Sequence, residues 1–178
     1  IDKFGLAIPE YFLDIRDLAV ARNENANKFL KGLLQLEMSV SPITQDIVTL
    51  GAAAAHEFLT EKDRKKIDMI IIGTETGVDQ SKSASVFIHN LLGIQPFARC
   101  VEIKEACYGA TAGLDFAKNH IEKNPDSYVL LIAADIAKYG IETSGESTQG
   151  SGSCAMLIKK DPEILILNND NVCQTRDI

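Results

Sequence analysis

The sequence predicts an α/β fold built on a mixed or largely parallel sheet. Three observations carry that expectation. Apolar runs at residues 67–72 and 128–134 have the continuous hydrophobic character of strands covered on both faces. Segments with helical start and stop signals alternate with those runs, which implies right-handed crossovers. No low-complexity linker interrupts the chain, so a single domain over residues 1–178 is the simplest organisation.

Taken in order, FGLAIP (4–9) reads as a first strand ended by proline. DIRDLAVARN (14–23) reads as a helix capped by Asp14. NKFLKGLLQL (27–36) gives a second short helix, weakened by Gly32. In residues 41–60 Ser41 can cap, Pro42 suits a first turn, and four successive alanines suggest close packing against another element. The strand at 67–72 follows, then a helix in SKSASVFIHNLLG closed by Gly93. ARCVEI is a strand, and residues 111–123 form a helix stopped near Asn124-Pro125. YVLLIAADIA is a second buried strand, and CAMLIKK and ILILN read as a final pair. The stretch 144–153, rich in glycine and serine, is the one long loop, and such loops are often functional.

Composition narrows the function classes. At 46% hydrophobic residues the chain can bury a sizeable core. Its net charge of −7 is scattered and there is no basic stripe, so no nucleic-acid partner is expected. No apolar run reaches about 18 residues, so no membrane span is expected. A charged-then-apolar leader pattern is missing from the first residues, which points to a cytoplasmic protein with reduced thiols. Cys100, Cys107, Cys154 and Cys173 show no CxxC spacing and no nearby histidine, so no metal or other cofactor is expected.

Ligands of open α/β sheets gather at the carboxyl ends of strands. The apolar runs lead there to Glu75, to Cys107, and to Asp135 followed by Tyr139, which share one rim if the strands are parallel. Cys107 stands at a strand-to-helix turn, where a helix N-terminus favours a thiolate and free N–H groups can hold an oxyanion. A small buried hydrophobe is the other reading of that position. Glu75 suits a general acid/base whose pKa is raised by partial desolvation, or else it is a solvated loop acid. Asp79 can orient other groups or cap the next helix. Asp135, after LLIAA, needs hydrogen-bond donors to offset its desolvation. Gly109 and Ala110 leave room for a substrate. Cys100 and Cys154 read as core residues, and His56, His89 and His120 fall on helices away from the rim.

Four stretches carry a more specific signal: GTETGVDQSKS (73–83), IQPFARCVEIKEACYGATAGL (94–114), AADIAKYG (133–140) and STQGSGSCAML (147–157). In this order they resemble the bacterial-type hydroxymethylglutaryl-CoA synthases of the thiolase-like superfamily. The resemblance implies one thiolase-like half, with a mixed five-stranded sheet sandwiched by helices. It implies a condensing enzyme of the mevalonate route to isoprenoids, acting on acetyl-CoA and acetoacetyl-CoA. Cys107 would then carry the acetyl group as a thioester and Glu75 would be the acid/base. Asp79, Asp135 and Tyr139 match supporting positions, and Thr148 and Gly150 lie in a loop that faces substrate.

Two departures qualify the resemblance. The family loop usually reads Gly-Glu-Pro-Thr-Gln-Gly-Ala-Gly-Ala, whereas here Ser147 replaces the proline and Ser151 and Ser153 replace alanines. Losing the proline should loosen the loop, and Ser153 brings a hydroxyl among buried strand residues. The chain also ends about where the family's first half ends. The second half would supply a positioning histidine and a second oxyanion donor, so a homodimer or a complementing C-terminal half is the expected partner. Rival readings are another thiolase-like acyl-CoA condensing enzyme and a non-catalytic dimerisation module.

Overall fold

A computed structural model describes residues 1–169 and 172–176; residues 170, 171, 177 and 178 of the proposed domain lie outside the described residues. The elements run β1 (Lys3–Ala7), β2 (Tyr11–Asp14), α1 (Ile15–Ala21), α2 (Asn27–Leu30), β3 (Glu37–Val40), α3 (Ile47–His56) and α4 (Glu61–Lys66). They continue with β4 (Ile67–Gly73), α5 (Ala84–Leu92), β5 (Arg99–Ile103), α6 (Gly109–Lys123), β6 (Tyr128–Ala137) and β7 (Gly150–Ile158). Five strands form one sheet in the order β1-β7-β6-β4-β5, and β2 pairs with β3 in a separate ribbon. Strand β4 is parallel to β5 and β6, whereas β7 is antiparallel to both β6 and β1. The sheet is therefore mixed, with its parallel part at one side.

Alternation along β4 explains its apolar sequence. Ile70 and Ile72 face the layer of α3 and α5, packing with Ile47, Ile88 and Ile132. Met69 and Ile71 face α6, packing with Ala117, Ile121 and Leu131. With helices on both faces, neither side chain set reaches water. The small residues of α3 serve close approach as expected: Ala54 and Ala55 are fully buried, and a Cβ on Gly5 of β1 would lie 2.2 Å from the Ala54 carbonyl oxygen. A third cluster, Ile15, Leu18, Ala19, Phe29 and Met38, sits under α1, α2 and β3.

Several local expectations change. The cap of α3 is Asp46, not Ser41: Asp46 Oδ1 accepts the Thr49 N–H at 2.8 Å while Thr49 Oγ1 accepts the Asp46 N–H at 2.9 Å. This reciprocal box satisfies two orphan amides. The helix expected at 27–36 stops at Leu30, and Leu34 takes a left-handed φ of 53°. Residues 164–168 are not a strand. The N–H groups of Ile164 and Leu165 both reach the Ile1 carbonyl, which is not the one-to-one pattern of a regular ladder. The 144–153 loop is shorter than expected because β7 already begins at Gly150. Among the described residues no helix is long and apolar enough to cross a membrane.

Candidate active site

Parallel pairing of β4, β5 and β6 brings their carboxyl ends to one rim. The start of α6 seats directly on that rim. Gly73, the last residue of β4, lies so close to α6 that a Cβ would fall 2.2 Å from the Ala110 nitrogen. A Cβ on Gly109 would meet the Ile103 carbonyl oxygen at 2.8 Å. Gly109 is thus buried against backbone rather than leaving room for substrate; its small size lets helix and sheet meet. Ala106, at φ 42°, turns the chain between β5 and α6.

This packing delivers Cys107 to Glu75, with Sγ 3.5 Å from Oε1. Both side chains are exposed, so Cys107 is not a core residue and Glu75 is not desolvated as expected. The hydrogen bond to Glu75, and then its negative charge, hold the thiol above its ordinary value of 9.0. Burial and Asp135 add to this, and the backbone N–H of Cys107 itself works the other way. The thiolate expected from the helix terminus is therefore outweighed: a carboxylate in contact opposes ionisation more strongly than amides favour it. The arrangement is a neutral thiol donating to a carboxylate placed to take its proton.

Asp135 finds the donors its position demanded. Its Oδ1 accepts the N–H of Glu75 at 2.7 Å, the N–H of Thr76 at 3.1 Å, and the hydroxyls of Thr74 and Thr76, each at 2.9 Å. Thr76 Oγ1 in turn accepts the Ile136 N–H at 3.0 Å. The carboxylate on β6 thus fixes the backbone that carries Glu75. Backbone N–H groups were the donors expected for Asp135, and the two threonine hydroxyls were missed in the sequence.

Tyr139 is also on the rim. The negative charge of Glu75 acts first to raise its phenol above the ordinary value of 10.0, followed by burial, Cys107 and Asp135. Its backbone N–H and that of Gly140 both donate to Gln149 Oε1, at 2.7 and 3.1 Å, a role not foreseen for Gln149. Thr148 is exposed and its hydroxyl donates to the Gly145 carbonyl at 2.8 Å. Gly150 opens β7 opposite Ala137. Asp79 serves its own loop: Oδ1 accepts the N–H groups of Ser81 and Lys82, each at 2.7 Å, and these bonds hold its carboxyl below the ordinary 3.8. It caps that turn, whereas α5 is capped by Ser83.

Ser147 is buried inside a short turn that is tied from α1. Arg22 donates to both carboxylate oxygens of Glu146, at 2.8 and 2.7 Å, and the Glu142 N–H adds a third bond at 2.9 Å. The Arg22 hydrogen bonds, first among these, push Glu146 down to about 2. This pair, whose members are 124 residues apart, was not foreseen. Ser151 and Ser153 are buried, and among the described residues their hydroxyls have no hydrogen-bond partner. Cys100 and Cys154 are partly buried within β5 and β7, and Cys173 is exposed. His120 bonds Asp68 at 2.9 Å. Among the described residues no group of three or more His, Cys, Asp and Glu side chains could hold a metal ion.

Comparison with known proteins shows the family of the chain and the class of its fold. The family model described as hydroxymethylglutaryl-coenzyme A synthase N terminal matches residues 1–163. A hydroxymethylglutaryl-CoA synthase of Enterococcus faecalis is 56% identical over the whole chain, which covers 46% of that relative. The polyketide biosynthesis 3-hydroxy-3-methylglutaryl-ACP synthase PksG of Bacillus subtilis is 34% identical, over 86% of this chain and 40% of its own. A crystal structure of an HMG-CoA synthase complexed with CoA superposes with a TM-score of 0.98 at 60% identity, over 100% of this chain and 46% of that one. MvaS in complex with 3-hydroxy-3-methylglutaryl coenzyme A superposes at 0.89 with 35% identity, over 96% of this chain and 42% of that one. The chain spans about half the length of the curated relatives it matches. Its mixed five-stranded sheet and covering helices are the thiolase-like arrangement, and the chain belongs to the hydroxymethylglutaryl-coenzyme A synthase N-terminal family.

Proposed function

We propose that this chain is the nucleophile-bearing half of a hydroxymethylglutaryl-CoA synthase in the mevalonate pathway. The observation that carries the reading is the 3.5 Å approach of Cys107 Sγ to Glu75 Oε1 on the rim of the parallel strands. The sulfur attacks the acetyl carbonyl of acetyl-CoA while its proton passes toward Glu75. Collapse of the tetrahedral intermediate expels the CoA sulfur, which takes that proton, and leaves an acetyl thioester on Cys107. The two thioesters are of similar energy, so the exchange is reversible and separates acetyl capture from condensation. Glu75, again ionised, removes a methyl proton from the acetyl group. The resulting carbanion adds to the ketone of acetoacetyl-CoA, and Glu75 returns the proton to the new alkoxide. Water then hydrolyses the enzyme thioester and restores the thiol.

Asp135 holds the Glu75 backbone, Tyr139 stands beside the pair, and the Cys107 N–H serves the developing oxyanion. Asp79, Thr148 and Gly150 shape the surrounding loops. Condensation draws on groups outside this chain, supplied by a complementing C-terminal half within a cytoplasmic homodimer. The solved relatives with CoA and HMG-CoA bound support CoA thioesters as the ligand class. The higher identity to the Enterococcus CoA enzyme than to the ACP enzyme favours CoA over a carrier protein.

The test is mass spectrometry of the chain mixed with acetyl-CoA, alongside CoA release with both substrates. The expected result is one acetyl group on Cys107 and little or no turnover. No adduct would favour an inert dimerisation module, and robust turnover would contradict the half-site reading.

A further inference from the structure

Residues 74–83, which carry Glu75, are held at their first end by Asp135. The other end lies on β5. Cys100, Glu102 and Lys104 alternate onto the side of β5 that faces α5, as the contact of Cys100 Sγ with the Ser85 carbonyl shows. Glu102 is the unusual member, since its side chain is only 8% exposed. Its Oε2 accepts the N–H of Ala84, the first residue of α5, at 2.7 Å. Its Oε1 has no hydrogen-bond partner among the described residues and stands 3.5 Å from Lys104 Nζ. The same ammonium reaches the Asp79 carbonyl at 3.5 Å. Gly77 rests on this pair so tightly that a Cβ would fall 2.5 Å from Glu102 Oε1 and 3.0 Å from Lys104 Cε. A buried carboxylate with one oxygen outside any hydrogen bond is costly, and beyond the first amide of α5 its neighbours are Lys104 and the backbone at Gly77. What it does is tie that loop to the strand that leads directly into Cys107.

We propose that Glu102, assisted by Lys104, is a positioning residue that sets the separation of Glu75 and Cys107 by pinning the 76–83 loop to β5. The proposal rests on the reading that Glu75 and Cys107 act as a pair. Glu102 acts through the loop, not through its own charge. The groups that bear on the Cys107 thiol are Glu75 and Asp135, and Tyr139 is the phenol that feels Glu75 and Cys107 in turn.

The experiment follows the pH dependence of Cys107 alkylation by iodoacetamide, read on the Cys107 peptide because Cys173 is also exposed. Glu75→Gln removes the charge that holds the thiol up, so the midpoint falls. Glu102→Ala frees the loop, and the midpoint falls in the same direction; Glu75→Gln with Glu102→Ala falls no further than Glu75→Gln alone. Glu102→Gln keeps an acceptor for the Ala84 N–H and keeps the original midpoint. Gly77→Ala lifts the loop from the Glu102 side without removing the buried acid, and lowers the midpoint as Glu102→Ala does, which keeps the test open if Glu102→Ala does not fold. If Glu75→Gln leaves the midpoint unmoved, the pair itself is wrong. If Glu75→Gln lowers it while Glu102→Ala and Gly77→Ala do not, the pair stands and the positioning role is overturned. A shift in Glu102→Gln as large as in Glu102→Ala also overturns it.

Discussion

Cys107 Sγ and Glu75 Oε1 lie 3.5 Å apart across the ends of β5 and β4, although 32 residues separate them in the chain. The contact makes each group part of the other's chemistry. Glu75 keeps the thiol protonated in the resting state, because its hydrogen bond and then its charge raise the thiol above 9.0. Reactivity with acetyl-CoA should therefore rise with pH as the proton is lost. Replacing Glu75 by Gln lowers the pH at which the thiol ionises, so the acylation profile moves toward lower pH. A stopped-flow or quench series of Cys107 acetylation against pH checks this; an unmoved profile counts against the contact.

Asp135 should matter to Glu75 more than to the sheet. Asp135→Ala leaves the Glu75 and Thr76 amides and two threonine hydroxyls without their shared acceptor. Thr74 is fully buried, so the expected loss of stability is about 1–3 kcal/mol for unsatisfied groups. Displacing a catalytic group by about 1 Å can cost on the order of 100-fold, and that loss should fall on the Glu75-dependent step. Denaturant unfolding together with single-turnover kinetics separates the two effects.

The Arg22–Glu146 pair should give acid sensitivity with a definite window. Glu146 titrates at about 2 in the folded chain against an ordinary 4.5. A folded-state pKa below the unfolded one stabilises above the unfolded value, and the stability is lost as pH falls from 4.5 toward 2. Arg22→Met raises the Glu146 pKa, makes the chain less stable at neutral pH, and flattens the pH dependence across that window. Unfolding free energies measured at several pH values report the difference in slope.

Ser151 and Ser153 offer the opposite kind of change. Both hydroxyls are buried and unpaired among the described residues. Ser151→Ala and Ser153→Ala each remove a desolvated polar group, so each should be neutral or stabilising by up to about 1 kcal/mol. The thermal midpoint is the readout, and destabilisation by either change would show that its hydroxyl has a partner.

The parallel part of the sheet was legible because its physics is local. Ile67–Gly73 and Tyr128–Ala137 are buried on both faces, and that condition writes itself into the sequence as apolar runs. The ends of those two runs then led to Glu75, Asp135 and Tyr139, and the strand at 98–103 led to Cys107. The ribbon of β2 and β3 went unread because Tyr11, Phe12 and Val40 are exposed, which breaks the expected alternation. Glu102 went unread for a different reason. In ARCVEI it looks like an outward-facing strand acid, and only the approach of the 76–83 loop makes it a buried one. The state of the thiol was misjudged because the sequence places Glu75 on the same rim as Cys107 but does not show that the two touch at 3.5 Å.

The most direct test places the Cys107 acetyl thioester in deuterated water. If, as proposed, Cys107 captures the acetyl group and Glu75 exchanges its methyl protons, acetylated Cys107 should gain deuterium, and Glu75→Ala should become acetylated without gaining it. A chain that never acetylates Cys107, or one whose deuterium uptake is unchanged in Glu75→Ala, would contradict the pairing of these two side chains.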